Sequence, residues 1–208
     1  MKLDYDFINW GPFVMKTKLP EDIINTLLLK AKSDLNDFNR SLAGHIKKQF
    51  EYDSETQSWF FDRFLLYLQL YRDGHCKFHG LEKLDVEYTP QSLWVNFMEP
   101  GDFNPPHIHT GDLSFVIFLD VPDELKKEQK EFKGTWAPPG SLIFNFTQNA
   151  RPMWATTERY FKPETGDLII FPTLLTHSVC PFKSKVQRIS VSGNLEVTNR
   201  NRLPDDYF

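Results

Sequence analysis

The chain has 208 residues, 40% of them hydrophobic and 25% charged, the balance of one globular domain rather than of a disordered chain. Lys plus Arg number 24 against 28 for Asp plus Glu, a formal charge of −4; with no basic run, this gives no sign of general affinity for nucleic acid. No run reaches the roughly 20 apolar residues of a membrane span. Met1 to Phe13 lacks a charged start followed by an apolar stretch, so no signal peptide is expected. Two cysteines, Cys76 and Cys180, are too few for a disulfide framework, and a reducing, cytoplasmic location is the expectation.

The first part of the chain, residues 1–88, reads as α-rich support. Phe13 to Lys18 is a short strand, and Pro20 starts a helix where its missing N–H costs nothing. Glu21 and Asp22 then suit the first-turn dipole, and Ile23, Ile24, Leu27 and Leu28 fall at helical spacing. A second helix carries Phe60, Phe61, Phe64, Leu65, Leu68 and Tyr71 as an apolar stripe, with Gly74 placed to end it. Both stripes read as core packing. His45 sits in a Gly-containing helical stretch and reads as structural. His75, Cys76 and His79 offer three zinc-type ligands where a structural site wants four, so a plain loop is expected there.

Residues 89–200 read as β. Leu93–Met98, Leu113–Leu119, Ser141–Phe146, Asp167–Phe171 and Gln187–Val197 are short, rich in Val, Ile, Leu and Phe, and bounded by turn residues. Such spacing predicts an antiparallel sandwich or barrel, so the fold class is mainly β with flanking helices in a single domain. Asp123 to Lys133 is charged and predicted exposed. Arg151 to Phe161 reads as a loop or lid, within a stretch, 134–165, whose mobility the sequence leaves open. Trp136, Trp154, Arg159 and Tyr160 are candidates to line a substrate cleft, or equally a lid packed on the barrel.

The chemistry concentrates in three places. His107 and His109 lie two apart, so an extended segment projects both from one face. His177 lies 70 residues beyond His107, far enough to arrive on another strand. Two ligands close in sequence plus a distant histidine, with other positions open, suit mononuclear iron(II). The usual triad has a carboxylate, and Asp112 is the nearest one, so the third ligand is His109 or Asp112. Alternation favours His109 slightly, because 112 needs a turn at Thr110-Gly111 to converge with 107. Asp112 equally suits a turn bond to a nearby backbone N–H. Arg188 and Ser190 share a strand face, and an arginine fork with a serine hydroxyl can hold the far carboxylate of a dicarboxylate whose near end chelates the metal. Asn96 and Trp94 face the barrel interior, where Asn96 is either a co-substrate contact or a satisfied core polar residue. Cys180 has no acid–base partner placed for it and reads as a small buried hydrophobe.

The pattern of Trp94-Val95-Asn96, Asn104 to Val116, Pro163 to Pro172, His177-Ser178-Val179 and Arg188 to Asn194 resembles the iron(II)/2-oxoglutarate-dependent oxygenase superfamily. Within it the pattern is most similar to oxygenases with a Pro-His-x-His signature that are common in marine phages. The resemblance covers about residues 93–197. It implies a double-stranded β-helix (a cupin-like jelly roll) with the metal at its wider mouth. It further implies that His107 and His177 ligate iron and that Arg188 and Ser190 bind 2-oxoglutarate. The expected reaction is hydroxylation, consuming O2 and 2-oxoglutarate and releasing succinate and carbon dioxide, in the cytoplasm of the host cell if phage-encoded. Two other readings stay open: a three-histidine cupin-like dioxygenase without 2-oxoglutarate, and a non-catalytic jelly-roll interaction module. The substrate, whether peptide, nucleobase or small molecule, and the oligomeric state are not legible.

Overall fold

A computed structural model describes residues 11–32, 35–38, 44–146 and 157–199. Two antiparallel sheets carry the architecture. The larger has seven strands in the order β1 (Met15–Lys18), β9 (Asp167–Pro172), β6 (Leu113–Asp120), β11 (Arg188–Asn199), β4 (Val86–Met98), β3 (Lys48–Glu51) and β2 (Asn36–Asp37). The smaller has four, in the order β5 (Asn104–His107), β10 (Thr176–Val179), β7 (Leu142–Asn145) and β8 (Glu158–Phe161). This is the jelly-roll fold.

The central strands of the larger sheet are buried on both faces, which is why they read as nearly continuous hydrophobic runs. Strand alternation divides their side chains. Leu93 and Val95 of β4, Ile117 and Leu119 of β6, Leu168 and Ile170 of β9, and Val191 and Leu195 of β11 join the helices in one core. Met98, Phe118, Ile169 and Phe171, on the opposite face, meet Leu142 and Phe144 of the smaller sheet in a second. Helix α1 (Glu21–Lys30) contributes Ile23, Ile24 and Leu27 to the first core, and α2 (Ser54–His79) contributes Phe60, Phe64, Leu68 and Tyr71. The Phe64 ring lies 4.4 Å, centre to centre, from that of Phe115. Each fully buried side chain of this kind stabilises the fold by about 1.5–3 kcal/mol. Strand β1 is held to β9 by Lys16 and Lys18, each 2.9 Å from a carboxylate oxygen of the fully buried Asp167.

The predicted strands are present, most of them longer than their hydrophobic runs, and several expectations need correction. Helix α2 does not stop at Gly74; it runs to His79 and ends on Gly80, whose φ of 68° takes the left-handed turn. Glycine stands at 74 because the Phe13 ring lies against it, 2.8 Å from where a Cβ would be. His75, Cys76 and His79 are therefore in the last turns of a helix, not a loop. His45 is not helical but bridges to Phe103. The charged stretch after Pro122 is helix α3 (Asp123–Glu131), exposed except for the fully buried Leu125 and the half-buried Glu128 and Gln129. The α-rich first part also supplies three strands, β1 to β3, to the larger sheet. Of the loop or lid predicted over Arg151 to Phe161, residues 151–156, with Trp154, lie outside the described residues, and Glu158–Phe161 is not a loop but strand β8, paired with β7.

Candidate active site

Strand β5 contains Pro105 and Pro106, which cannot donate to a ladder, and it sits at an edge of the smaller sheet where that is tolerated. Its last residue, His107, pairs directly across from His177 on β10. Their rings are 4.3 Å apart, centre to centre. His109 lies two residues past the end of β5, its N–H donating to the carbonyl of Thr173 at 3.1 Å. That bond turns its ring back to 4.9 Å from both other imidazoles. Each of the three can offer a ring nitrogen, and these atoms lie within 4.8 Å of one another.

The local bonds fix which nitrogens face the gap. Nδ1 of His107 meets the carbonyl of Pro105 at 2.7 Å, and Nδ1 of His177 meets that of Leu175 at 2.9 Å. A carbonyl only accepts, so Nδ1 carries the hydrogen and Nε2 keeps its lone pair. Nε2 of His177 is 3.2 Å from Nε2 of His109. Burial, with the neighbouring His107, pushes His177 down to about 3 and His109 down to about 4. Both are therefore unprotonated at neutral pH and present lone pairs to a cation.

Asp112 is not in this cluster. It is exposed, and its Oδ2 accepts the N–H of Val197 at 2.7 Å, tying the β5–β6 connection to β11. It is not the local turn bond that the sequence allowed for, since its partner lies on another strand, 85 residues away. The Thr110-Gly111 turn, with Gly111 at φ 87°, carries the chain away from the histidines.

Arg188 enters the same cavity from the larger sheet. It is 2% exposed, and burial lowers its pKa to about 10. Nη1 donates to the carbonyl of Gly140 at 2.9 Å, and the guanidinium lies 5.3 Å from the centre of the Phe118 ring. Its Nε has no hydrogen-bond partner, and among the described residues no carboxylate pairs with it. A buried cation in that state costs several kcal/mol unless an anion completes it. Ser190, also 2% exposed, follows on the same strand face. Asn96 is held in a polar network: its Oδ1 accepts from Gln49 Nε2 at 2.7 Å and Trp94 Nε1 at 3.1 Å, and its Nδ2 donates to Ser192 Oγ at 3.3 Å. It lines the cavity as a satisfied core group.

The cavity, about 410 Å³, runs between the sheets and is lined by the three histidines, Arg188, Ser190 and Asn96 among others. Three imidazoles suit iron among other transition metals, and the buried arginine, with no carboxylate partner among the described residues, suits a carboxylate in the same space. The residues therefore fit iron(II) together with a dicarboxylate. Trp136, Arg159 and Tyr160, expected as possible cleft residues, are not among the cavity's lining; Trp136 and Tyr160 instead meet edge to face at 5.5 Å on the exposed side of β8. The sequence reading missed Gly140, whose backbone carbonyl holds Arg188 and carries no side-chain signal. It also missed Gln49, on the unpredicted strand β3, which orients Asn96.

A sequence-family model described as putative 2OG-Fe(II) oxygenase matches residues 92–194, the stretch that holds the three histidines, Asn96, Arg188 and Ser190. No curated protein matches the chain. Among solved structures it is similar to a Pseudomonas putida prolyl-4-hydroxylase, with 18% identity, 86% of this chain and 90% of that chain covered, and a TM-score of 0.53. It is also similar to a viral collagen prolyl hydroxylase of Paramecium Bursaria Chlorella virus-1 solved with 2OG, with 16% identity, 88% and 94% covered, and a TM-score of 0.53. A third is HygX of Streptomyces hygroscopicus with nickel and 2-oxoglutarate bound, with 10% identity, 89% and 82% covered, and a TM-score of 0.52. At these identities the structural likeness shows the fold, and the matched family model supplies the chemistry. Residues 92–194 thus carry the likeness to the iron(II)/2-oxoglutarate-dependent oxygenase superfamily, and the enzyme works with iron(II), 2-oxoglutarate and O2.

Proposed function

We propose that the enzyme hydroxylates a C–H bond of its substrate, with His107, His109 and His177 as the iron ligands and with Arg188 and Ser190 gripping the distal carboxylate of 2-oxoglutarate. Iron(II) with 2-oxoglutarate and O2 supplies the oxidising power, and succinate and carbon dioxide leave as co-products. The protein's own part is positional. The carbonyls of Pro105 and Leu175 keep two imidazoles in the ligating tautomer. Gly140 O holds one arm of the Arg188 guanidinium and leaves Nε and the other arm for the co-substrate. The apolar walls from Phe118, Leu142 and Phe171 keep water from competing for that pair.

The observation that carries this reading is the buried Arg188, without a counter-charge among the described residues, in the cavity that also holds the histidines. The three-histidine cluster on its own would equally suit a cupin-like dioxygenase that uses no 2-oxoglutarate. A non-catalytic module would need neither. Succinate release from 2-oxoglutarate that requires added iron(II) and O2 is the expected result. Its absence in the iron-loaded protein would remove the hydroxylase reading.

Three finer assignments go with the proposal. Pro106-His107-Ile108-His109 supports a place among the phage-encoded members with a Pro-His-x-His signature. The free thiols of Cys76 and Cys180 support a reducing, cytoplasmic location. The sharing of one core by α1, α2 and the large sheet supports a single domain over 1–208, with 1–88 backing a β core over 89–200. Among the described residues no helix is long and apolar enough to cross a membrane.

A further inference from the structure

Strand β11 lines the cavity with alternate residues, Arg188, Ser190, Ser192 and Asn194. From the first to the last of these is six residues, about 20 Å at roughly 3.3 Å per residue. The pairing fixes which end is which. At Arg188 the neighbour is Met98, and the next residue, Ile189, faces Asp120, the last residue of β6. At Asn194 the neighbours are Ser92 and Ser114, beside the Ile108–Asp112 connection that carries His109. Between them, Ser192 pairs with Trp94, whose ring is 5.9 Å from that of His109. The histidines are therefore nearer the Asn194 end. The four carbon–carbon bonds of 2-oxoglutarate, about 1.5 Å each, cover roughly 5–6 Å. One such molecule reaching from the histidines towards Arg188 leaves the Asn194 end vacant for another molecule.

The polar groups at that end are all uncharged, and several are set to donate. Ser114 Oγ donates to Asn194 Oδ1 at 2.8 Å, which engages the amide oxygen and leaves the amide nitrogen as the group this side chain can offer to the cavity it lines. Ser192 Oγ accepts from Asn96, leaving its own O–H to donate. Ser92 and Thr110 add hydroxyls. Apart from the three imidazoles and Arg188, no ionisable side chain lines the cavity among the described residues. A charged group brought here would lose its hydration without finding a counter-charge. An uncharged oxygen acceptor would meet hydroxyl and amide groups able to donate to it.

Resting on the oxygenase reading above, we infer that the Asn194 end is the substrate subsite, that it selects an uncharged group bearing oxygen acceptors, such as an amide carbonyl or a sugar hydroxyl, and that Asn194 is its specificity-determining donor. Ligand-observed NMR on protein loaded with zinc(II) in place of iron(II), plus 2-oxoglutarate, tests it. Blocked trialanine amide and methyl glucoside are the uncharged probes. Blocked tripeptides with a central lysine or aspartate, and glucose 6-phosphate, are their charged counterparts. At least one uncharged probe should bind about fivefold or more tighter than its charged counterparts, and which one does so distinguishes peptide from carbohydrate as the source. Asn194→Asp, which still accepts from Ser114 but offers no donor, should weaken it by about tenfold or more. Ser92→Asp, at a half-buried position that tolerates exchange better, should lower it in the same direction. Charged probes binding as tightly, no probe binding at all, or unchanged affinity in folded variants would each overturn the inference. Titration of 2-oxoglutarate without any probe reports separately on the oxygenase reading. Both variants should bind it as the wild type does, and a wild type that does not bind it fails that reading instead.

Discussion

The two sheets divide the work unequally. The smaller one carries His107 and His177 on strands of four residues, one of them an edge strand with two prolines, and His109 just beyond that strand's end. The larger one carries Arg188, Ser190 and Asn96 on strands of 12 and 13 residues, backed by two helices. Arg188 and Ser190 thus stand on a long strand in a helix-backed sheet. The histidines depend on a few backbone contacts: the carbonyls of Pro105 and Leu175, and the His109 N–H to Thr173. The two halves of the site should therefore fail in different ways.

The largest effect is expected on the small sheet. Replacing His177 with Ala removes the histidine that faces both others and should abolish iron binding, measured by anaerobic titration, while 2-oxoglutarate-independent folding persists. Iron affinity left intact would break the assignment of the metal to this sheet. Next comes the helical backing of the large sheet. Phe64→Ala deletes a ring that is 1% exposed and packed on Phe60 and Phe115. A loss of about 3–5 kcal/mol in denaturant unfolding is expected, and a loss below 1 kcal/mol would mean that the sheet does not lean on α2. On the large sheet's inner face, Arg188→Ala should weaken 2-oxoglutarate by one to three powers of ten. That follows from charge-assisted bonds of about 1.5–3 kcal/mol each. Iron affinity should hold, and Arg188→Lys should restore part of the loss. Equal co-substrate affinity in wild type and Arg188→Ala would favour the three-histidine alternative. The smallest effect belongs to Asp112→Ala. It removes one exposed bond to Val197, worth about 0.5–1.5 kcal/mol, and should leave iron affinity unchanged. Loss of iron binding there would show that the carboxylate, not His109, completes the triad.

The large sheet was the legible half. Its central strands are buried on both faces, so β6 and β9 stand out as apolar runs. The helical stripe of α2 was equally plain up to Tyr71. Beyond it, Gly74 misled, because a glycine required by a tertiary neighbour, Phe13, looks in sequence like one required by a helix end. Strand β5 carried no strand signal: Asn104-Pro105-Pro106-His107 is turn chemistry by composition and is held as a strand by pairing with β10. Helix α3 buries one side chain, so its periodicity had nothing to show. In the site, His107, His109, His177 and Arg188 stood out by spacing, whereas the rival roles of Asp112 and Asn96 depend on bonds to Val197 and Gln49 that no linear pattern contains.

Helix α3 touches no ligand group, yet two of its residues reach the machinery that does. Leu125 lies against Gly140, 3.1 Å from where a Cβ would stand, and Gly140 supplies the carbonyl that holds Arg188. Glu128, one turn further on, accepts the N–H groups of Lys183 and Ser184 at 3.0 and 2.8 Å, in the turn that leads into β11 at Arg188. The helix therefore acts as a brace with two feet, one beneath the guanidinium and one at the root of its strand. Surface changes along it would register as altered appetite for the co-substrate rather than as altered metal retention. A family of variants could be tuned for scarce or abundant 2-oxoglutarate without a single change inside the cavity.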